Sequence, residues 1–332
     1  MQELLKQLSE VYGPSGYEGG IRQILRDTVA GLAAEAHVDA LGNLIVQAKA
    51  GTAGGKRVML AAHMDEIGLV VSHIDEKGFL RFGPVGGIYP LTMFGQRVRF
   101  ASGLVGVVGI EPIESKNEAN LPKMFIDVGA RNREEAEKMV HVGDVVGMDR
   151  QLEVSNGRAI GKALDDRAGC LVLVEVLRAL HQSPHDVYVV FTTQEEVGLR
   201  GATTSAYGVA PDLAIAVDVT DTGDTPESRP MAVALGKGPA VKVMDGGMLA
   251  HAGVKDLMLR VAETHQIPCQ REVLLGGTTD ARAMQTSRSG VPAGCLSIPT
   301  RYIHTASEMI DLDDVKNSIR LLVALLEEPF EL

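Results

Sequence analysis

Cysteine is scarce in this chain. The three present, Cys170, Cys269 and Cys295, are an odd number without paired spacing, which argues against both a disulfide framework and a zinc ribbon. Positive charge is also short: 32 basic residues face 43 acidic ones, for a formal net charge of −11, and no basic run occurs. A general affinity for nucleic acid or anionic membrane is thereby excluded. No apolar stretch approaches the ~18 residues needed to span a bilayer. The opening Met1-Gln2-Glu3-Leu4-Leu5-Lys6 lacks the basic-then-apolar layout of a signal peptide. There is no internal repeat and no low-complexity segment. What remains is 332 residues, 45% hydrophobic and 23% charged, ordinary globular usage and about two domains' worth of chain. The expectation is a soluble, cytoplasmic protein.

Apolar periodicity predicts two opening amphipathic helices, on Leu4, Leu5, Leu8 and Val11 and on Ile21, Ile24, Leu25, Val29 and Leu32, with Gly13-Pro14-Ser15-Gly16 as a break between them. Short continuous apolar runs at 58–62, 187–191, 213–217 and 294–298 predict buried strands. Longer helical patterns cover 168–180, 249–265 and 312–326. Strands alternating with helices indicate an α/β domain around a largely parallel sheet. Residues 67–158 differ: short β-rich runs such as Phe79-Leu80-Arg81-Phe82 and Arg97-Val98-Arg99-Phe100 alternate with turns, and only 132–140 reads as helix. The organisation expected is an α/β domain of residues 1–66 and 159–332, interrupted by a small all-β barrel-like domain at 67–158.

Metal-capable residues sit at the ends of the predicted strands. His63 closes the run 58–62, Glu195 and Glu196 follow the run 187–191, Asp218 ends the run 213–217, and His304 lies just beyond the run 294–298. Asp165 and Asp166 immediately precede the helix at 168–180. In open α/β sheets, ligands bind outside the carboxyl ends of the strands. His63, His304, Glu196, Asp218 and one of the two aspartates form a mixed histidine and carboxylate set without thiolate, suited to zinc, cobalt or manganese. Five ligands are too many for one tetrahedral zinc with an open position, and suit two cations sharing a carboxylate. Two divalent charges, three carboxylates and one bridging hydroxide also sum to neutrality. Asp65, two residues past His63, is placed to accept its ring N–H. Glu195 is the candidate general base beside the ligand Glu196. Taken singly, an acid pair after a strand is a common solvated turn, and either Asp165 or Asp166 could simply cap the next helix. Spacing alone does not choose between those two neighbours.

In order along the chain, Pro14-Ser15-Gly16-Tyr17-Glu18, Asp39-Ala40-Leu41-Gly42-Asn43-Leu44, Ala62-His63-Met64-Asp65-Glu66-Ile67-Gly68 and Ile126-Asp127-Val128-Gly129-Ala130 form a recognisable series. Val142-Gly143-Asp144, Lys162-Ala163-Leu164-Asp165-Asp166-Arg167, Gln194-Glu195-Glu196-Val197-Gly198, Asp218, Thr279-Asp280-Ala281 and Pro299-Thr300-Arg301-Tyr302-Ile303-His304 complete it. The series resembles the tetrahedral aminopeptidases, cocatalytic dinuclear metallopeptidases that include glutamyl and deblocking aminopeptidases. The resemblance implies His63 and Asp218 on one metal, Glu196 and His304 on the second, and Asp165 bridging. It also implies Glu195 as base, Asp65 as the residue orienting His63, and two divalent ions, zinc or cobalt with manganese as a further option. The barrel-like insert would serve dimerisation, and dimers would assemble into a tetrahedral dodecamer acting on short peptides. The activity expected is removal of N-terminal residues by a metal-bridged hydroxide. Two alternatives stand beside it: a metal-dependent N-deacylase using the same site, and a non-catalytic peptide-binding oligomer.

Overall fold

The computed structural model describes residues 1–332. Its centre is an 11-stranded mixed sheet. Four parallel strands form the middle of that sheet in the spatial order Asp186–Thr192, Arg57–His63, Leu213–Thr220, Ala293–Arg301. These are the four continuous apolar runs of the sequence, buried on both faces, which is why they do not alternate. The outer strands are antiparallel except Gln270–Val273, which runs parallel to Ala240–Met244, itself antiparallel to Ala293–Arg301. Ala33–Val38 and Leu44–Ala48 extend one side, while Glu308–Asp311, Arg158–Gly161 and Glu153–Ser155 extend the other. Helices Gln2–Glu10, Gly19–Val29, Leu164–Ala179, Ala252–Thr264 and Leu312–Glu327 bury their apolar stripes on the sheet or on one another. Arg200–Val209 and Asp280–Gln285 contribute to a second apolar cluster with the strands.

Gly68–Ile74, Leu80–Val85, Met124–Asp127, Val105–Ile110, Arg97–Phe100 and Val145–Met148 close, in that spatial order, into a six-stranded barrel. Its interior is built on the two-residue period of strands: Leu69 and Val71, Leu80 and Phe82, Val98 and Phe100, Val146 and Met148 all point inward. The barrel strands end at Met148, and Glu153–Ser155, counted with the insert in the sequence reading, pairs in the large sheet.

Candidate metal centre

The register of the parallel strands sets out the site. His63 ends its strand opposite Thr192, and Asp218 lies on the neighbouring strand opposite Ser297. The next element past His63 supplies Asp65, the turn after Thr192 supplies Glu195 and Glu196, and His304 follows the strand Ala293–Arg301. The side chains of His63, Asp65, Asp165, Glu196, Asp218 and His304 each come within 4.0 Å of another of the set, and Glu195 lines the same cleft. His63 Nε2 lies 2.9 Å from Asp165 Oδ1 and 3.9 Å from Asp218 Oδ1. His304 Nε2 lies 3.4 Å from Asp165 Oδ2 and 3.3 Å from Glu196 Oε1. Asp165 thus turns one oxygen to each imidazole. Gly87 leaves room for His304: a Cβ there would stand 2.6 Å from its Nδ1.

The two neighbouring aspartates take different partners. Helical hydrogen bonding is counted from Leu164, yet Asp165 and Asp166 carry non-helical torsions, so the regular helix starts after them. Asp166 Oδ1 accepts from Gly169 N at 3.0 Å, an N-cap bond, and Oδ2 accepts from His63 N at 3.1 Å. Asp165 keeps both oxygens for the imidazoles. The peptide bond joining the pair is cis.

Asp65 does more than its spacing suggested. His63 Nδ1 lies 3.1 Å from the Asp65 carbonyl oxygen and 3.5 Å from its carboxylate, so the backbone oxygen is the nearer acceptor. The carboxylate itself accepts from Glu195 N at 2.9 Å, Glu196 N at 3.1 Å and Ser15 Oγ at 2.6 Å. With Nδ1–H donated, the Nε2 lone pair of His63 is left for a cation. Glu308, which the sequence reading missed, is buried and clasps two ligand candidates: Oε2 accepts from Asp165 N and Oε1 from His304 N, both at 3.0 Å. An acid four residues after a histidine carries no signal of this in isolation.

Electrostatically the group is incomplete as a set of protein atoms. Burial pushes Asp218 up to about 8, with Asp165 adding to the rise. Burial likewise holds Glu195 and Asp166 well above the ordinary carboxyl range, with Asp218 adding to both, and raises Glu196. Burial works to raise Asp165 too, but its bonds to His304 and His63 outweigh that and hold it low. His304 is pushed up to about 12: burial opposes its charge, and Asp165 and Glu196 override it. Such mutual dependence is what a cation relieves. Ligand atoms of His63, Asp165 and Glu196, and of His63, Asp166 and Asp218, each fall within 4.8 Å of one another. The donors are imidazole and carboxylate without thiolate, a chemistry that fits divalent zinc, cobalt or manganese.

The cluster forms the floor of a cleft of about 1040 Å³, walled by Tyr89, Tyr302, Met231, Leu275, Arg229 and Arg282. Tyr89 belongs to the barrel side and its ring centre lies 6.3 Å from that of His304.

The sequence profile of the M42 glutamyl aminopeptidase family matches residues 42–321. The lysyl aminopeptidase of Pyrococcus furiosus is 39% identical over 340 residues, covering 98% of this chain and 96% of its own. The solved structure of an aminopeptidase from the archaeon Desulfurococcus kamchatkensis superposes with a TM-score of 0.93 at 42% identity, covering 98% of this chain and 94% of that one. The TET1 peptidase of Pyrococcus horikoshii, described as able to assemble into a tetrahedron or a large octahedral shell, superposes with a TM-score of 0.88 at 34% identity over 99% of both chains. With near-complete coverage, the α/β sheet and the barrel in common, and a matching profile, this chain belongs to the M42 glutamyl aminopeptidase family.

Proposed function

We propose that the protein is a two-metal aminopeptidase that removes N-terminal residues from short peptides. The observation that carries the proposal is Asp165, with one carboxylate oxygen 2.9 Å from His63 and the other 3.4 Å from His304. In this reading Asp165 is the ligand shared by two sites. His63 and Asp218 hold one cation, and Glu196 and His304 hold the other. Two divalent cations held there would supply charge for the scissile carbonyl oxygen and acidify the attacking water. The protein's own work is positioning and proton transfer. Asp65 keeps His63 in the tautomer that leaves Nε2 free and holds the amides of Glu195 and Glu196. Glu195 takes the proton of the attacking water and passes it to the departing amine; its burial favours the protonated form between those two transfers.

The test is hydrolysis of a panel of unblocked aminoacyl chromogenic substrates by chelator-stripped protein, before and after adding zinc, cobalt or manganese. Metal-restored release is expected, and the fastest residue identifies the preference of the cleft. Cleavage of acetyl-blocked peptides alone would replace the reading with an N-deacylase. Two bound metals without turnover of either class would leave a peptide-binding scaffold.

A homo-oligomer belongs to the same proposal. The exposed apolar side chains Tyr89, Leu91 and Phe94 cluster on the short helical turn of the barrel, and such patches on a soluble protein mark contact surfaces. With the assembly of the Pyrococcus horikoshii relative, they support barrel-mediated dimers building a dodecamer, checked by light scattering of the purified chain. The cytoplasm is the proposed place of work. Three free cysteines, two of them buried, agree with it, and no helix is long and apolar enough to cross a membrane.

A further inference from the structure

The segment Pro14-Ser15-Gly16-Tyr17-Glu18 supplies none of the clustered donors, yet it runs beneath the turn that carries Glu195 and Glu196. Glu18, only 3% exposed, accepts through Oε1 from Gly16 N at 2.8 Å and from Gln194 N at 3.1 Å. Ser15 donates its hydroxyl to Asp65, whose carboxylate takes the amides of Glu195 and Glu196. Three consecutive amides, at 194, 195 and 196, are therefore held by two buried carboxylates. Tyr17, between the two inward residues, faces solvent at 46% exposure.

The loop is itself fixed. Gly13 N donates to Glu66 Oε1 at 3.1 Å, and Ser15 N donates to the Glu66 carbonyl at 3.3 Å. Lys162 Nζ meets the same Glu66 carboxylate at 2.7 Å, and Arg167 donates to the Gly13 carbonyl at 3.3 Å. The turn it supports needs holding, because Gln194 sits at φ 55°, a left-handed conformation uncommon for a residue with a Cβ. Such torsions persist only where the surroundings over-determine them, and Glu18 receives the amide of that residue.

We infer that Glu18 is a positioning residue for the reaction: by holding the Gln194 amide it sets the turn so that Glu195 faces the reacting centre, with Ser15 acting alongside it through Asp65. The inference rests on the assignment of Glu195 as the base. A displacement of about 1 Å in a reacting group can cost on the order of 10²-fold in rate.

Glu18→Ala and Glu18→Gln in the full chain, loaded with zinc, provide the test. E18A should lower kcat by ~10–100-fold with KM little changed and the calorimetric zinc stoichiometry kept. E18Q, which retains an acceptor oxygen, should recover most of that loss. Deuterium uptake should rise in residues 192–199 of E18A, not of E18Q, and stay at the wild-type level elsewhere. Wild-type kcat and uptake in E18A would overturn the inference, as would an E18Q as slow as E18A, or loss of zinc binding together with turnover. Should E18A not fold, Glu18→Asp takes its place: raised uptake confined to 192–199 supports the inference, and wild-type uptake overturns it. If the wild-type protein turns over no unblocked substrate, the aminopeptidase reading fails on its own, while the exchange measurement still decides whether Glu18 holds the turn.

Discussion

The barrel and the carboxyl edge of the large sheet solve opposite problems. From residue 68 to residue 148 no polar or charged residue is buried; the interior is Leu, Val, Ile, Phe, Met and Ala, and the backbone pairs around a closed ring. Charges of the barrel meet at the surface, as Arg99 and Arg97 do on Asp149 at 2.8 and 2.9 Å. The sheet edge instead buries Asp65, Asp165, Asp166, Asp218, Asp280 and Glu308 around two imidazoles. One region buries no charged residue. The other gathers like charges that repel until a cation or protons intervene.

The sharpest way to test that contrast is Glu195→Gln. It should leave metal binding intact and cut turnover by ~10²–10⁴-fold; near-normal turnover removes Glu195 from the proton-transfer role. Next comes pH. In chelator-stripped protein the folded-state value of Asp218 is about 8 against an ordinary 3.8. Between those two values the folded protein keeps a proton that the unfolded chain has released. Stability therefore falls as pH rises from ~4 towards ~8, and the raised His304 works in the same direction above its ordinary 6.5. Scanning calorimetry should give the stripped protein a lower melting temperature at pH 8 than at pH 5, with added zinc reversing most of the loss at pH 8. A higher melting temperature at pH 8 without metal would contradict the picture of an acid-strained edge.

The barrel should respond differently. Leu80→Ala, at a fully buried position, should cost about 2–5 kcal/mol, read by denaturant unfolding, yet leave zinc affinity unchanged. A large fall in zinc affinity would join two regions that the comparison separates. Asp65→Asn replaces one acceptor oxygen by an NH₂ that must face an amide N–H, so activity or metal affinity should drop by ~10–100-fold; an unchanged titration and rate would remove Asp65 from its positioning role. Smallest of all, Arg99→Ala breaks an ion pair whose arginine is 44% exposed, and should change stability by about 0.2–1 kcal/mol, less still in high salt.

Legibility in the sequence followed local physics. The central strands announced themselves because a strand buried on both faces is a continuous apolar run. The helix Arg200–Val209 did not, since its buried face is Gly201, Ala202, Ser205, Ala206 and Val209, and four small residues with a single valine give no apolar stripe. The strands Ala240–Met244 and Gln270–Val273 were also hidden: Lys242 and Glu272 lie fully buried on them as an ion pair, which reads as exposed polarity until the partner is known. At the site, residue types and their place after strands were readable. Which of Asp165 and Asp166 turns both oxygens to the imidazoles was not readable from spacing, and Glu308 and the hold of Glu18 on Gln194 were not readable at all.

The sequence by itself determined the parallel core, the all-β insert and the kinds of donor delivered to one sheet edge, because hydrophobic periodicity and strand ends are local properties. Tertiary structure decided which oxygen faces which imidazole. Asp166 is held by an N–H three residues on and by the amide of His63, and Asp65 is turned to the amides of a loop 130 residues later. Those choices depend on cross-strand register and on donors far apart in the chain, and a hydrogen bond between distant residues leaves no periodic mark in either.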